Sequence, residues 1–208
     1  MTEPVATVYP KNALQGRDDL DVITPDVAPT LDALFRVRVQ RSFEKTAYTE
    51  FDEGSGQWRD YTWAEIAAEV KRWQAALEAE GLKKGDRIAL RLKNCRHWVI
   101  FDQAALGLGL VVVPLYVADR PDNVNYVLEN SDSKLLFVEN LQAWQELREA
   151  GADKLPDLQR VVVRNANSGD DTRVESMEDW LDGANQELRQ ELTTPEDLAS
   201  IVYTSGTT

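Results

Sequence analysis

Between Gly85 and Val163 short runs of apolar, often β-branched residues alternate with segments whose apolar positions recur every three or four residues. Arg87-Ile-Ala-Leu-Arg-Leu92, Leu110-Val-Val-Val113, Leu135-Leu-Phe-Val138 and Val161-Val-Val163 each predict a strand. Trp98 to Leu108 and Leu141 to Ala150 predict helices. A third opens at Pro121, the residue best suited to a first turn, with Val124, Val127 and Leu128 facing inward. The strand runs are too continuously apolar for a sheet with one wet face. Strand–helix alternation of this kind calls for a mainly parallel sheet covered by helices on both faces, an α/β fold.

Ahead of this region the pattern differs. Leu31, Leu34 and Phe35 predict one inward face of a short helix, with Arg36, Arg38 and Arg41 projecting to water. Ala47-Tyr-Thr-Glu-Phe51 and Gln57-Trp-Arg-Asp-Tyr61 alternate across Asp52-Glu-Gly-Ser-Gly56, which predicts an N-terminal β-hairpin. Gly54-Ser-Gly56 is read as a turn rather than an anion site, because Asp52 and Glu53 repel anions. Thr62-Trp-Ala-Glu65 is a capping box for a helix with Trp63, Ile66, Ala67, Val70, Trp73 and Leu77 on one face, stopped at Gly81. That stripe is expected to be core rather than a ligand groove. Trp58, Trp63 and Trp73 are expected to pack the hairpin against its helix, whereas Trp144 and Trp180 gain no role from sequence.

The two ends frame one unit at residues 30–208. Residues 1–29, with Pro4, Pro10, Pro25 and Pro29 and no sustained period, predict a separate arm, lying on a surface or mobile. Residues 165–198 are acidic and irregular, apart from a short helical stretch near Ser176–Leu181. They are read as a solvated connector without close metal-ligand spacing. Leu198-Ala-Ser-Ile-Val-Tyr203 predicts a last buried strand, running directly into Thr204-Ser-Gly-Thr-Thr208.

Composition narrows the chemistry. The chain of 208 residues carries a net charge of −13, so no broad basic field exists to attract nucleic acid. A nucleotide would have to be held by local geometry, a metal or backbone amides. Cys95 is the single cysteine, so no internal disulfide forms. The uncharged run from Gln103 to Ala118 falls short of the roughly 20 residues of a spanning helix. With no signal peptide recognisable at Met1, the chain is expected to be soluble and cytoplasmic.

The strand end at Tyr203 is the main chemical signal. Small residues let amides converge on an anion, glycine allows close approach, and hydroxyls add donors without permanent charge. Read alone, the segment fits a phosphate cradle or a plain loop. It is neither a Walker loop nor a dinucleotide fingerprint, since Val112 stands where Gly107-Leu-Gly109 would need a third glycine. Lone His97 fits a packing or capping group better than a general base. Cys95 lacks a recognisable catalytic partner. The basic strip from Lys83 to Arg96 fits a phosphate or anionic membrane surface about as well as ordinary surface alternation.

Tyr203-Thr-Ser-Gly-Thr-Thr208 resembles the first half of the phosphate loop of AMP-forming adenylating enzymes. Tyr61-Thr-Trp-Ala-Glu65, Gly81-Leu-Lys-Lys-Gly-Asp-Arg-Ile-Ala-Leu90, Val113-Pro-Leu-Tyr116, Tyr126-Val-Leu-Glu-Asn-Ser131 and Lys134-Leu-Leu-Phe-Val138 are similar to the long-chain fatty acyl-CoA synthetases in particular. The resemblance covers about residues 30–208. It implies the front part of an adenylating domain, truncated inside its phosphate loop. The whole enzyme would use Mg2+ and ATP to join a fatty acid to coenzyme A through an acyl-adenylate. Thr204, Ser205, Gly206, Thr207 and Thr208 would grip the β- and γ-phosphates. No catalytic residue and no metal ligand falls in this stretch. The chain alone is expected to be inactive and to hold no cofactor tightly. Another carboxylic acid as substrate, and a non-catalytic α/β binding module, are the alternatives. Membrane-surface association of the whole enzyme stays open, as does its oligomeric state.

Overall fold

The computed structural model describes residues 21–52, 54–165, 171–182 and 193–204. Helix α1 spans Leu31–Ser42, and Thr30 caps it by accepting from the Ala33 amide at 3.1 Å. Strands β1 (Thr46–Asp52) and β2 (Gln57–Thr62) form the expected antiparallel hairpin. At its turn the Gly54 and Ser55 amides both donate to the Asp52 carboxylate, at 2.8 and 3.2 Å. The turn's donors are thus consumed by its own acid.

Helix α2 (Trp63–Ala79) opens on the full capping box of Thr62 and Glu65. It ends before Gly81, whose φ of +73° is the left-handed conformation that glycine adopts without strain. The rest is the predicted alternation: β3 (Arg87–Arg91), α3 (Arg96–Gly107), β4 (Val111–Pro114), α4 (Pro121–Asn130), β5 (Leu135–Val138), α5 (Leu141–Glu149) and β6 (Arg160–Val163). Strand β7 (Val174–Ser176) and α6 (Met177–Asp182) follow.

The sheet runs β4-β3-β5-β6-β7 with every pair parallel. Successive strand residues alternate between two cores. Ile88, Leu90, Leu135, Phe137 and Val162 meet α2, α3 and α6, where Trp73 lies 5.1 Å from Phe137 and 5.5 Å from Trp180 between ring centres. Ala89, Val113, Leu136, Val138, Val161 and Val163 meet α4 and α5 around Trp144 and Leu147. Both faces are covered, as the unbroken apolar runs require. Gly107 lets α2 and α3 approach closely, since a Cβ there would meet the Gln74 amide nitrogen at 1.9 Å.

Several expectations are corrected. Leu31 and Leu34 are 54% and 40% exposed, while Asp32 is buried on α1. The helix N-terminus favours the acid there, Arg36 pairs with it at 2.9 Å, and Gly107 leaves room beside it. Arg38 and Arg41 turn to the Asp21 carboxylate, at 3.0 and 2.7 Å, rather than to open water. This lays the described end of the arm on α1; residues 1–20 lie outside the described residues. Trp58 does not pack on α2: it is 71% exposed and touches Phe51 edge-on.

The acidic stretch is more than a connector. Strand β7 extends the sheet, and Trp180 of α6 is buried in the aromatic core. One carboxylate organises this corner. The Oε1 atom of Glu80 accepts from Arg160 Nε and from the Trp180 indole, both at 2.8 Å. Glu80→Ala orphans both donors and is expected to cost about 2 kcal/mol, read as a lower urea midpoint at unchanged slope. An unchanged midpoint would show that the two donors find water instead.

Leu198–Tyr203 also departs from expectation. It lies parallel to the outer edge of β4 but makes only one bridge, Ser200 with Val112. Leu198 and Val202 are 67% and 60% exposed. Among the described residues only β4 flanks this segment in the sheet, so its apolar side chains are not enclosed.

Candidate functional site

Parallel strands send all their carboxyl ends to one rim, so the loops after β3, β4, β5 and β6 share it with Thr204. From β3 the chain leaves through α3 toward β4; from β5 it leaves through α5 toward β6, the opposite direction. Ligands of open α/β sheets favour such a reversal point. A crevice of about 290 Å³ lies there, lined by Arg91, Lys93, Val117, Glu139, Asn140 and Gln142 among others. Arg91 is a charged residue in an apolar strand, buried to 7% exposure. Its Nη2 donates to the carbonyls of Val117 and Asp119, at 2.9 and 3.1 Å, which ties the β4–α4 loop to β3.

A second cavity of about 500 Å³ adjoins the strand end, and its wall includes Tyr116, Asp119, Asn123, Tyr126, Tyr203 and Thr204. That volume suits a small-molecule ligand. Thr204 stands exposed at its lip. Ser205, Gly206, Thr207 and Thr208 lie outside the described residues. The Tyr203 phenol donates to Asn130 Oδ1 at 2.6 Å, fastening the strand end to the last turn of α4.

The remaining candidates resolve individually. His97 accepts at Nδ1 from Arg164 Nε at 3.1 Å, and its ring lies 6.1 Å from that of Trp73. Burial, helped by the Arg96 and Arg164 charges, pushes its pKa down to about 4. It is a neutral acceptor wedged between a guanidinium and an indole, which supports packing over proton transfer at neutral pH. Arg164 in turn pairs with Glu139 at 3.1 Å. Cys95 occupies the N-cap position of α3 without a side-chain capping bond.

Three charges of the basic strip are offset locally. Lys84 pairs with Asp197, Arg87 with Asp132, and Arg96 with Glu50 and Glu69. Among the described residues no group of three His, Cys, Asp or Glu side chains is placed to hold a metal ion, and no helix is long and apolar enough to cross a membrane.

Arg91 and Arg164 stand at the carboxyl ends of β3 and β6, whereas Asn130 ends α4 on the opposite side of the sheet, near the start of β3. Arg91 carried a legible signal, a second arginine in an otherwise apolar strand. The other two act through contacts between distant segments, which no local pattern records.

An open parallel sheet flanked at its β4 edge by a segment that reaches Thr204 defines the class: an α/β protein whose strand carboxyl ends share one rim. The chain belongs to the AMP-binding enzyme family, whose model matches residues 35–208. It is 35% identical over 153 residues to the 3-hydroxybenzoate–CoA ligase of Aromatoleum sp. (strain CIB), covering 72% of this chain and 28% of that protein. It is 32% identical over 155 residues to the long-chain-fatty-acid–CoA ligase FadD15 of Mycobacterium bovis, covering 74% and 26%. The chain thus spans between a quarter and a third of the length of these relatives. Among solved structures, an anthranilate CoA ligase bound to anthranoyl-AMP matches 85% of this chain and 32% of its own, with a TM-score of 0.72 at 24% identity. The N-terminal domain of FACL13 from Mycobacterium tuberculosis matches 85% and 41%, with a TM-score of 0.70 at 25% identity.

Proposed function

We propose that this chain is the front part of an AMP-forming ligase that joins a long-chain fatty acid to coenzyme A. The observation that carries the reading is the edge segment ending at Thr204 on the strand-end rim, beside a cavity of ligand size, in a chain of the AMP-binding family. In the proposed reaction a carboxylate oxygen attacks the α-phosphorus of ATP. The bond to the bridging oxygen breaks, and pyrophosphate leaves with its electron pair. The coenzyme A thiol then displaces AMP from the acyl carbon and gives up its proton.

Thr204, Ser205, Gly206, Thr207 and Thr208 would hold the β- and γ-phosphates through hydroxyls and amides, offsetting charge on the departing group. Mg2+ would neutralise the polyphosphate, and its protein ligands are not assigned to the described residues. Enzyme and substrates would meet in the cytoplasm.

An aromatic acid is the second reading, favoured by the 35% identity to a 3-hydroxybenzoate–CoA ligase. Both are tested on the full-length protein by pyrophosphate release with ATP, coenzyme A and a panel of fatty and aromatic acids. Turnover rising with chain length supports the first reading, and turnover confined to benzoates supports the second. No release with any acid would leave a non-catalytic binding module. The 208-residue chain alone is expected to release none.

A further inference from the structure

The segment that delivers the hydroxyl run is weakly held by its backbone. Its ladder to β4 consists of the Val112 amide donating to Ala199 O and the Ile201 amide donating to Val112 O, both at 3.0 Å. Among the described residues no backbone hydrogen bond follows Ile201. Alternation then decides the next contact. Val202 points to solvent, while Ile201 and Tyr203 pack against the core shared by α4 and α5.

That turns the Tyr203 phenol onto the end of α4, where it donates to Asn130 Oδ1 at 2.6 Å. The acceptor sits on a braced platform. Arg87 reaches from β3 to donate through Nε to the Ser131 carbonyl at 2.6 Å and through Nη2 to Asp132 at 2.9 Å. Burial, with Tyr126 and Asp132 near, holds the phenol pKa above its ordinary value of 10, so it stays a donor at neutral pH.

We infer that Tyr203 and Asn130 form a latch that fixes where the chain leaves the sheet, and so are positioning residues for the phosphate-gripping hydroxyls that begin at Thr204. The inference rests on the proposed ligase reading for its function, but not for its mechanics. The latch transmits placement from β3, through Arg87 and the α4 end, to the residue just before the hydroxyl run. If Tyr203 served only to fill space, phenylalanine would replace it without consequence.

Tyr203→Phe keeps the ring and removes the donor; Asn130→Ala removes the acceptor. In the 208-residue chain each is expected to speed hydrogen exchange of the Ile201 amide about fivefold, the worth of one ordinary hydrogen bond. The double variant should be no faster than either single one, which identifies a shared contact. Amides of β5 and β6 should not change. Native exchange at Ile201 in Tyr203→Phe, or additive effects in the double variant, would overturn the latch.

In the full-length protein both variants should raise the KM for MgATP about fivefold in ATP–pyrophosphate exchange while kcat stays within about twofold. Exchange that proceeds with unchanged KM would overturn the positioning role and leave the ligase reading standing. A native protein that exchanges with no acid would overturn the ligase reading and, with it, the proposed role in gripping phosphate. The latch as a contact is then decided by the amide measurement.

Discussion

Thr204→Val, Ser205→Ala, Thr207→Val and Thr208→Val, combined in the full-length protein, are expected to lower ATP–pyrophosphate exchange by at least 10²-fold. Donors aimed at charge that develops in a transition state are worth about 10² to 10³ each in turnover, and neighbours in one cradle do not add fully. The substitutions keep approximate volume and remove only hydroxyls, so the strand before them should be undisturbed. Far-UV circular dichroism of the variant checks that. Undiminished exchange at saturating ATP would show that the hydroxyls do not stabilise the departing pyrophosphate. The phosphate chain would then have to be held by backbone amides or by residues elsewhere.

The second large effect is acid destabilisation through His97. Its pKa falls from an ordinary 6.5 to about 4 in the folded chain, chiefly by burial. Between these values the unfolded chain binds a proton that the folded chain excludes. Stability is therefore intact above pH 6.5 and declines as pH falls toward 4. One pKa unit corresponds to 1.36 kcal/mol, so the full loss approaches about 3 kcal/mol. Asp102 opposes this, because burial raises its pKa and favours folding with the proton bound. Comparing urea midpoints of native and His97→Gln chains from pH 7 to pH 4 cancels that term. The variant should show a flatter decline; an equally steep one would place the acid sensitivity elsewhere.

Much of this molecule was legible because its signals are local. The capping box at Thr62 and Glu65, the left-handed stop at Gly81, the proline opening α4 and the unbroken runs of β3 to β6 each specify their element within a few residues. The doubly covered sheet follows from those runs. What escaped was decided at a distance. Strand β7 is short, and it forms because β6 offers an open edge. Asp32 is buried because Gly107, far along the chain, leaves it room. Trp144 and Trp180 find their cores only once α5 and α6 dock. Leu198–Tyr203 has the composition of an interior strand yet is flanked only by β4 among the described residues. At the rim, Thr204 was reachable through its motif and resemblance. Its bracing by Tyr203, Asn130 and Arg87 joins segments that no single window contains.

The sheet's alternation also has a spectroscopic consequence. The side that meets α2 and α3 concentrates Trp73, Phe101, Phe137 and Trp180 in mutual edge and stacking contact. The side that meets α4 and α5 is aliphatic apart from Trp144 and the partly buried Tyr203. Indole emission and near-ultraviolet dichroism will therefore weight loosening of the first side heavily. Damage confined to the second will show mainly through the signal of one indole. A variant such as Trp144→Phe would remove the indole of the second side, and the emission lost relative to the native chain would report on that half.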